Sequence, residues 1–455
     1  MVAKSKGHEV IPSAKRLIGS LRDMGYDFST AVADLIDNSI EAGATVVNID
    51  VEFDGDDSWV RISDNGLGMN ASQLQEAMRY GSEREYDGDD DLGKFGLGLK
   101  TASMSQCQRL VVASKGNMRG EVSAFSWDLD HINATNKWEI LKVNKRELKK
   151  IVGQYLDKTR GTIIFWQRLD RILGYKHPYG ENAKKRMIAM CRDLEEHLAM
   201  VFHRFLTGEV PGKKLRIILN GNQVKAWDPF ARNEKKTRVL DPISIRLEHE
   251  GKAGTIILEP YILPHQDDFS SSDAFKQASG PRKWNRQQGF YIYRANRLIQ
   301  SGGWSGLKTV DEHLKLARVA ISFSPHLDDA FKINVAKMRV QLPNQIRDEV
   351  DSAIKPTTKL AQATYRRSNA KTSTPDNSSK TTPVIISGGS SLDPVNLQPA
   401  ATSNPITSSS QKNSDSYDQY WTLDEMQDKL IKLAEPTERH ILLKVFERLR
   451  KALRK

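Results

Sequence analysis

"ADLIDNSIEAGAT", residues 33–45, sets an acid and an amide four positions apart, Asp34 and Asn38, in a run that otherwise reads as helix. Residues four apart share one helical face, so both side chains can reach the same small object. Two further stretches say what that object is. "DNGLGM" (Asp64 to Met69) places a carboxylate at the end of a strand with glycines straight after it. Asp64 can accept from an exocyclic amine while Gly66 and Gly68 let a ligand lie against bare backbone. "GKFGLGLK" (Gly93 to Lys100) leads Gly93, Gly96 and Gly98 into a helix, a cradle of backbone N–H groups for phosphate. Asn38 offers an uncharged oxygen to Mg²⁺, a hard cation that takes few protein ligands beside phosphates and water. Asp34 is then placed to orient or deprotonate an attacking water. The object is the Mg²⁺–triphosphate end of ATP. Singly, each piece also fits a structural loop, a solvated helix face or a plain turn. Their order and separations carry the reading.

The 455 residues allow two or three domains with ample core. Two distant cysteines, Cys107 and Cys191, suggest neither a disulfide framework nor a zinc site, and a reducing cytoplasm is the expectation. No stretch approaches eighteen consecutive apolar residues, and the polar start "MVAKSKGHEV" does not read as a signal peptide, so no membrane association is expected. The net charge of +11 is unevenly spread: residues 1–100 hold ten Lys/Arg and nineteen Asp/Glu, the rest of the chain 58 and 38. An acidic front and a basic remainder fit two jobs, the second with an anionic partner; solvated faces alone would also give that balance.

Helical spacing in "SAKRLIGSLRDMGY" and "FSTAVADLIDNSIEAG" is followed by the strand-like "TVVNIDVEF" and "SWVRISDNG". Residues 70–92 read as a short helix and a polar loop, "GLGLKTASMSQC" as another helix, and "RLVVASKG", "EVSAFSWDL" and "GTIIFWQRL" as strands. This interleaving predicts one layered α/β domain over 1–178. A long amphipathic helix, "AKKRMIAMCRDLEEHLAMVFHRFL", then opens a second α+β unit, 179–365, with a hairpin turned at Asn-Gly in "KLRIILNGNQV". Residues 366–415 have the Ser/Thr/Asn/Pro composition of a disordered linker, and 416–455 read as two short helices split at Pro436 that dock onto something.

With these motifs the chain resembles the GHKL superfamily, the ATPases shared by DNA gyrase B, MutL mismatch-repair proteins, the large heat-shock chaperones, sensor histidine kinases and MORC proteins. The resemblance covers about residues 10–175. Their N box, roughly E-x-x-x-N-x-x-D-A, corresponds to "DLIDNSIEA", which implies Asn38 as the Mg²⁺ ligand and Asp34 as the general base. "DNGLGM" matches the adenine box, implying Asp64, Gly66, Gly68 and Met69 around the base, with Thr162 of "RGTIIFW" beside them. "GKFGLGLK" matches the phosphate box, implying Gly93, Lys94, Phe95, Gly96, Leu97, Gly98, Leu99 and Lys100. The implied fold is a Bergerat-type α/β sandwich followed by a β-α-β transducer-like domain, whose loop "FKINVAKMRVQLP" would send Lys337 to the γ-phosphate. One departure stands out: the family's base is usually Glu, and Asp34 is one methylene shorter. A misplacement of order 1 Å can cost as much as ~10²-fold in rate, so slow turnover is expected. The acidic "EREYDGDDD" falls in what would be the ATP lid, where it reads either as charge gating or as a solvated loop.

Binding ATP does not name the job. Only about thirty residues precede Asp34, with His8 alone among them, which argues against the histidine-kinase branch. The domain order fits the gyrase, MutL and MORC branches, in which ATP closes a homodimer around DNA, and most resembles MORC and the standalone prokaryotic ATPases similar to it. "FKQASGPRKWNRQQGFYIYRANRLIQSGGW" interleaves Lys276, Arg282, Lys283, Arg286, Arg294 and Arg297 with Trp284, Phe290, Tyr291 and Tyr293. The cations suit phosphates, and the aromatics suit either stacking on bases or core strands. "KVNKRELKK", "ARNEKKTR" and the tail "ERLRKALRK" add basic patches. The expectation is a cytoplasmic or nucleoid-associated (nuclear, in a eukaryote) ATP-dependent DNA clamp with partner proteins on its linker and tail. The alternative is a protein-directed ATP switch without nucleic acid.

Overall fold

The computed structural model describes residues 10–23, 25–81, 98–153, 155–156, 159–333 and 340–366, with Leu443 and Phe446. The chain divides into two units, Met1–Asp376 and Asn377–Lys455. Of the second, only Leu443 and Phe446 are described, both helical, so the expected linker and tail helices lie almost wholly outside the described residues.

The first unit begins with α1 (Ala14–Arg22) and α2 (Phe28–Glu41). Each starts at an oxygen that satisfies an orphan N–H: Ser13 accepts from Arg16, Asp27 from Thr30. Eleven of the fourteen α2 residues are buried, which marks a core helix rather than a solvated one. Next come β1 (Val46–Glu52), β2 (Trp59–Asp64), α3 (Ala71–Met78), α4 (Gly98–Met104), β3 (Arg109–Lys115), β4 (Ser123–Asp128), α5 (Leu129–Thr135), β5 (Leu141–Lys142), α6 (Lys145–Val152) and β6 (Gly161–Gln167). The chain continues through α7 (Glu181–Val201), α8 (His203–Thr207), β7 (Arg216–Leu219) and β8 (Asn222–Gln223). All eight strands form one mixed sheet, ordered β5-β4-β3-β6-β2-β1-β7-β8. One face is buried by α1, α2, α4 and α7, through residues such as Ile18, Leu35, Ala102 and Leu194. On the other face α6 packs Ile151 and Val152 against Val111, Ile163 and Phe165.

This arrangement corrects the expected boundary at residue 178. β7 runs parallel to β1, with Val46 opposite Arg216, so the first sheet takes its last two strands from 216–223. The helix at 181–201 looked like a fresh start because its apolar stripe is long, but it packs back onto α2. The Asn-Gly hairpin is present, with φ of 47° at Asn220 and 80° at Gly221, the two positive values that a type I′ turn requires.

The second sheet contains β9 (Arg238–Val239), β10 (Ile243–His249), β11 (Lys252–Ile262), β12 (Gly289–Arg294), β13 (Arg297–Ser301) and β14 (Ala317–Phe323), with α9 (Ser272–Ala278) and α10 (Lys283–Gln287) before β12. Its order is β10-β11-β14-β12-β13, with β9 on β11. Along β12 the side chains alternate as a two-faced strand must. Phe290 and Ile292 join Val350 and Ile354 of α11 (Arg347–Arg366), while Tyr291 and Tyr293 join Phe230, Tyr261 and Met200. Helix α7 therefore serves both layers, with Leu194 and Leu198 in the first core and Met200 against the second sheet. Among the described residues no helix is long and apolar enough to cross a membrane.

Leu198 is fully buried on this shared helix. Leu198→Ala should cost roughly 2–5 kcal/mol through lost transfer energy plus the cavity left behind. The shift of the denaturant midpoint at unchanged slope measures it.

Candidate nucleotide site

Three segments meet around α2 and the end of β2. In the antiparallel pair β2–β6, Asp64 stands directly opposite Thr162, whose N–H lies 3.3 Å from Asp64 Oδ1. Gly66 N–H donates to the same oxygen at 2.9 Å, and the Ser39 hydroxyl donates to Oδ2 at 3.2 Å. Burial pushes the Asp64 carboxyl above its ordinary value, while these three donors pull the other way. Asp64 is still half-buried rather than sealed, so a ligand amine can approach it. Thr162 Oγ1 lies 2.9 Å from Ser114 Oγ, which takes the Met69 N–H at 2.8 Å and donates to the Gly161 carbonyl at 3.0 Å. Ser114 thus ties the glycine loop to β6. Neither Ser39 nor Ser114 is prominent in the sequence, because a single serine beside a motif carries no spacing signal; the "DNS" run was the one available hint.

The glycines of this loop face protein. Gly68 has φ of 66°, and a Cβ there would sit 2.1 Å from the Lys115 carbonyl. A Cβ on Gly66 would lie 2.8 Å from that of Ala42. Close packing of chain on chain is reason enough for glycine at both positions.

On α2, Asp34 and Asp37 are buried acids, a rarity that demands partners. Asp34 Oδ2 accepts the Tyr26 hydroxyl at 2.9 Å, and Asp34 Oδ1 lies 3.4 Å from Arg297 Nη2. Arg297 Nε lies 2.8 Å from Asp37 Oδ2. Burial beside Asp34 raises the Tyr26 phenol far above its ordinary value, so it stays a donor. His197 on α7 is pushed down to about 4 by burial, with the Arg297 guanidinium adding to the effect. Asn38, one turn beyond Asp34, is half-buried. Its neutral hard oxygen suits a cation that draws its other ligands from phosphate and water.

Gly98, the first residue of α4, brings the third motif in: a Cβ there would lie 3.9 Å from Asp34 Oδ2. The structure therefore places Asp34 next to Gly98, and Asp64 opposite Thr162. Leu99 is partly buried against the first core. Lys100 is buried; its ammonium donates to the Ala77 carbonyl at 3.1 Å and sits 6.0 Å from the Tyr80 ring. Gly93, Lys94, Phe95, Gly96 and Leu97, the acidic run 83–91, and Lys337 lie outside the described residues.

The aromatic–basic stretch divides. Phe290, Tyr291 and Tyr293 are core residues of β12, buried on both faces of the strand, so of the two expectations for these aromatics the core strand holds and stacking on bases does not. Trp284 is partly buried and stacks on Phe275, with ring centroids 4.7 Å apart. Arg294 is buried in an ion pair with Asp328 at 2.7 Å, and Arg297 lies against α2. Lys276, Arg282, Lys283 and Arg286 remain exposed, as do Lys142, Lys145, Arg146, Lys149 and Lys150 on and beside α6.

Residues 26–162 match the family described as histidine kinase-, DNA gyrase B- and HSP90-like ATPase. Protein MICRORCHIDIA 5 of Arabidopsis thaliana is 35% identical over 91 residues, covering 19% of this chain and 13% of that protein. MICRORCHIDIA 4 of the same plant is 28% identical over 147 residues, 30% of this chain and 18% of its own. The DNA mismatch repair protein MutL of Pasteurella multocida is 33% identical over 97 residues, 20% of this chain and 16% of its own. The matched stretch spans less than a fifth of each of these relatives.

Burial lowers the Lys100 ammonium from 10.5 to about 8. Below about 8 it is charged whether folded or unfolded, and the folded state bears its desolvation. Between about 8 and 10.5 the unfolded chain binds the extra proton, so stability rises with pH across that window. By the difference between the two values the rise is at most about 3 kcal/mol. Lys100→Met should remove it, as read from unfolding free energies at pH 7.5 and pH 10.

Proposed function

From a chain whose residues 26–162 carry a GHKL-type ATPase domain, we propose a Mg²⁺-dependent, slow ATPase that dimerises on ATP and clamps or remodels DNA. The observation that carries this reading is that one helix, α2, brings Asp34 beside Gly98 and Ser39 onto Asp64, which stands opposite Thr162. In this reading Asp64 accepts from the adenine amine, with Thr162 and Met69 lining the base. Gly93 to Lys100 border the phosphates, and Lys337 reaches the γ-phosphate. Mg²⁺, held by Asn38 and the phosphates, would neutralise charge on the transferring group. Asp34 takes the proton of a water that attacks the γ-phosphorus; the bond from that phosphorus to the β,γ-bridging oxygen breaks, leaving ADP and phosphate. One methylene less than Glu puts the base further from that water, which is the argument for slow turnover.

The relatives support a DNA client, since one is a mismatch repair protein by name. The exposed Lys276, Arg282, Lys283 and Arg286 and the basic face of α6 supply phosphate-neutralising charge. With the β12 aromatics buried, contact would run through the phosphate backbone and be indifferent to sequence. Partner proteins on the linker and tail, and a cytoplasmic or nucleoid-associated setting, belong to the same proposal.

Asn38→Ala should abolish Mg²⁺-dependent phosphate release, and Asp34→Asn should lower it by about 10²-fold or more with nucleotide still bound. A normal rate in Asn38→Ala would remove the site assignment. Light scattering with and without Mg²⁺ and a non-hydrolysable ATP analogue should show the mass double on analogue. Replacing Arg282, Lys283 and Arg286 by Ala should weaken salt-sensitive DNA binding and flatten its salt slope. Unaltered binding would take that patch out of the interface.

A further inference from the structure

One buried group has no part in the reaction as proposed. Arg297 opens β13 in the second sheet, 263 positions from Asp34 along the chain, yet its side chain is 3% exposed and lies against α2. Its Nε holds Asp37 at 2.8 Å, while its Nη2 stands 3.4 Å from Asp34 Oδ1. The other oxygen of Asp34 takes the Tyr26 hydroxyl and faces Gly98. The carboxylate is therefore suspended between a phenol on the loop before α2 and a guanidinium from the other layer.

Burying three ions is expensive, and apolar side chains of like volume would join the two layers at least as firmly. Cohesion alone therefore does not account for the arrangement. A planar guanidinium adds direction: its donors leave at fixed angles, so once one edge is seated, the position of the other is set. Asp37 seats the Nε edge closely. The longer distance to Asp34 guides that carboxylate rather than clamping it. A short acid with little reach depends on such guidance more than a longer one would.

We infer that Arg297, seated by Asp37, is the positioning residue for Asp34, so that the aim of the base depends on how the second sheet sits against α2. The inference rests on the ATPase reading above. It makes turnover sensitive to displacement of β13 while nucleotide affinity is not, because Arg297 touches neither Asp64 nor its partners.

The test uses the full chain, with phosphate release for turnover and a fluorescent ATP analogue for affinity. Arg297→Met should lower kcat at least 10-fold while KM and analogue affinity stay within about 3-fold. Arg297→Lys, which keeps the charge but cannot span both acids, should recover part of kcat. A kcat for Arg297→Met within 2-fold of the original, or affinity falling in step with kcat, overturns the inference. If Arg297→Met does not fold, Asp37→Asn decides: kcat should fall at least 3-fold at unchanged KM, and an unchanged kcat overturns the inference. If the original chain releases no phosphate in Mg²⁺ and ATP, the ATPase reading fails first and this inference falls with it. Normal turnover with indifferent variants leaves that reading standing and removes only the role of Arg297.

Discussion

Helix α2 is buried on nearly every side and still carries two buried carboxylates, Asp34 and Asp37, and its surroundings are arranged around satisfying them. A buried acid without a partner would protonate or unfold its surroundings. The Tyr26 hydroxyl and the Arg297 guanidinium meet that demand from the loop before the helix and from the second sheet. The requirement also fixes the position of β13, because a guanidinium can neutralise these acids only if the strand that bears it comes to within hydrogen-bonding distance of the helix. The two sheets are in this sense joined by charge as well as by the apolar stripe of α7.

The candidate site was legible where its residues are neighbours in the chain. Asp34 and Asn38 announce themselves by helical spacing, and Asp64 by the glycines behind it. The pairing of Asp64 with Thr162 followed from resemblance and is realised as a β-sheet register. Ser39, Ser114, Tyr26 and Arg297 were not legible, because each acquires its role through a contact fixed by tertiary packing. In the sequence Arg297 is one of six cations in a basic stretch, yet two of those six are buried in ion pairs. Charge counted along a sequence does not distinguish a solvated guanidinium from a buried one.

The same limit affected the aromatics. Phe290, Tyr291 and Tyr293 sit beside basic residues in a way that suits base stacking as well as a core strand, and the run is a strand with a core on each face. A strand covered on both sides shows no polar–apolar alternation, which removes the usual signal. The domain boundary failed for a related reason: an amphipathic stripe says that a helix is packed but not against which sheet.

The parallel pairing of β1 with β7 bears on how the protein is made. Val46 meets Arg216 across 170 positions of chain, so the long edge of β1 has no partner until the ribosome has released both α7 and β7. A nascent chain halted near residue 178 would hold both Asp64 and Thr162 and still present a bare strand rich in valine and isoleucine, a template for pairing with other chains. Bringing so distant a segment home is a slow, non-local closure. Completing the first sheet thus waits for the same stretch, α7 to β7, whose Met200 packs against the second sheet, and the two layers are expected to mature together during synthesis.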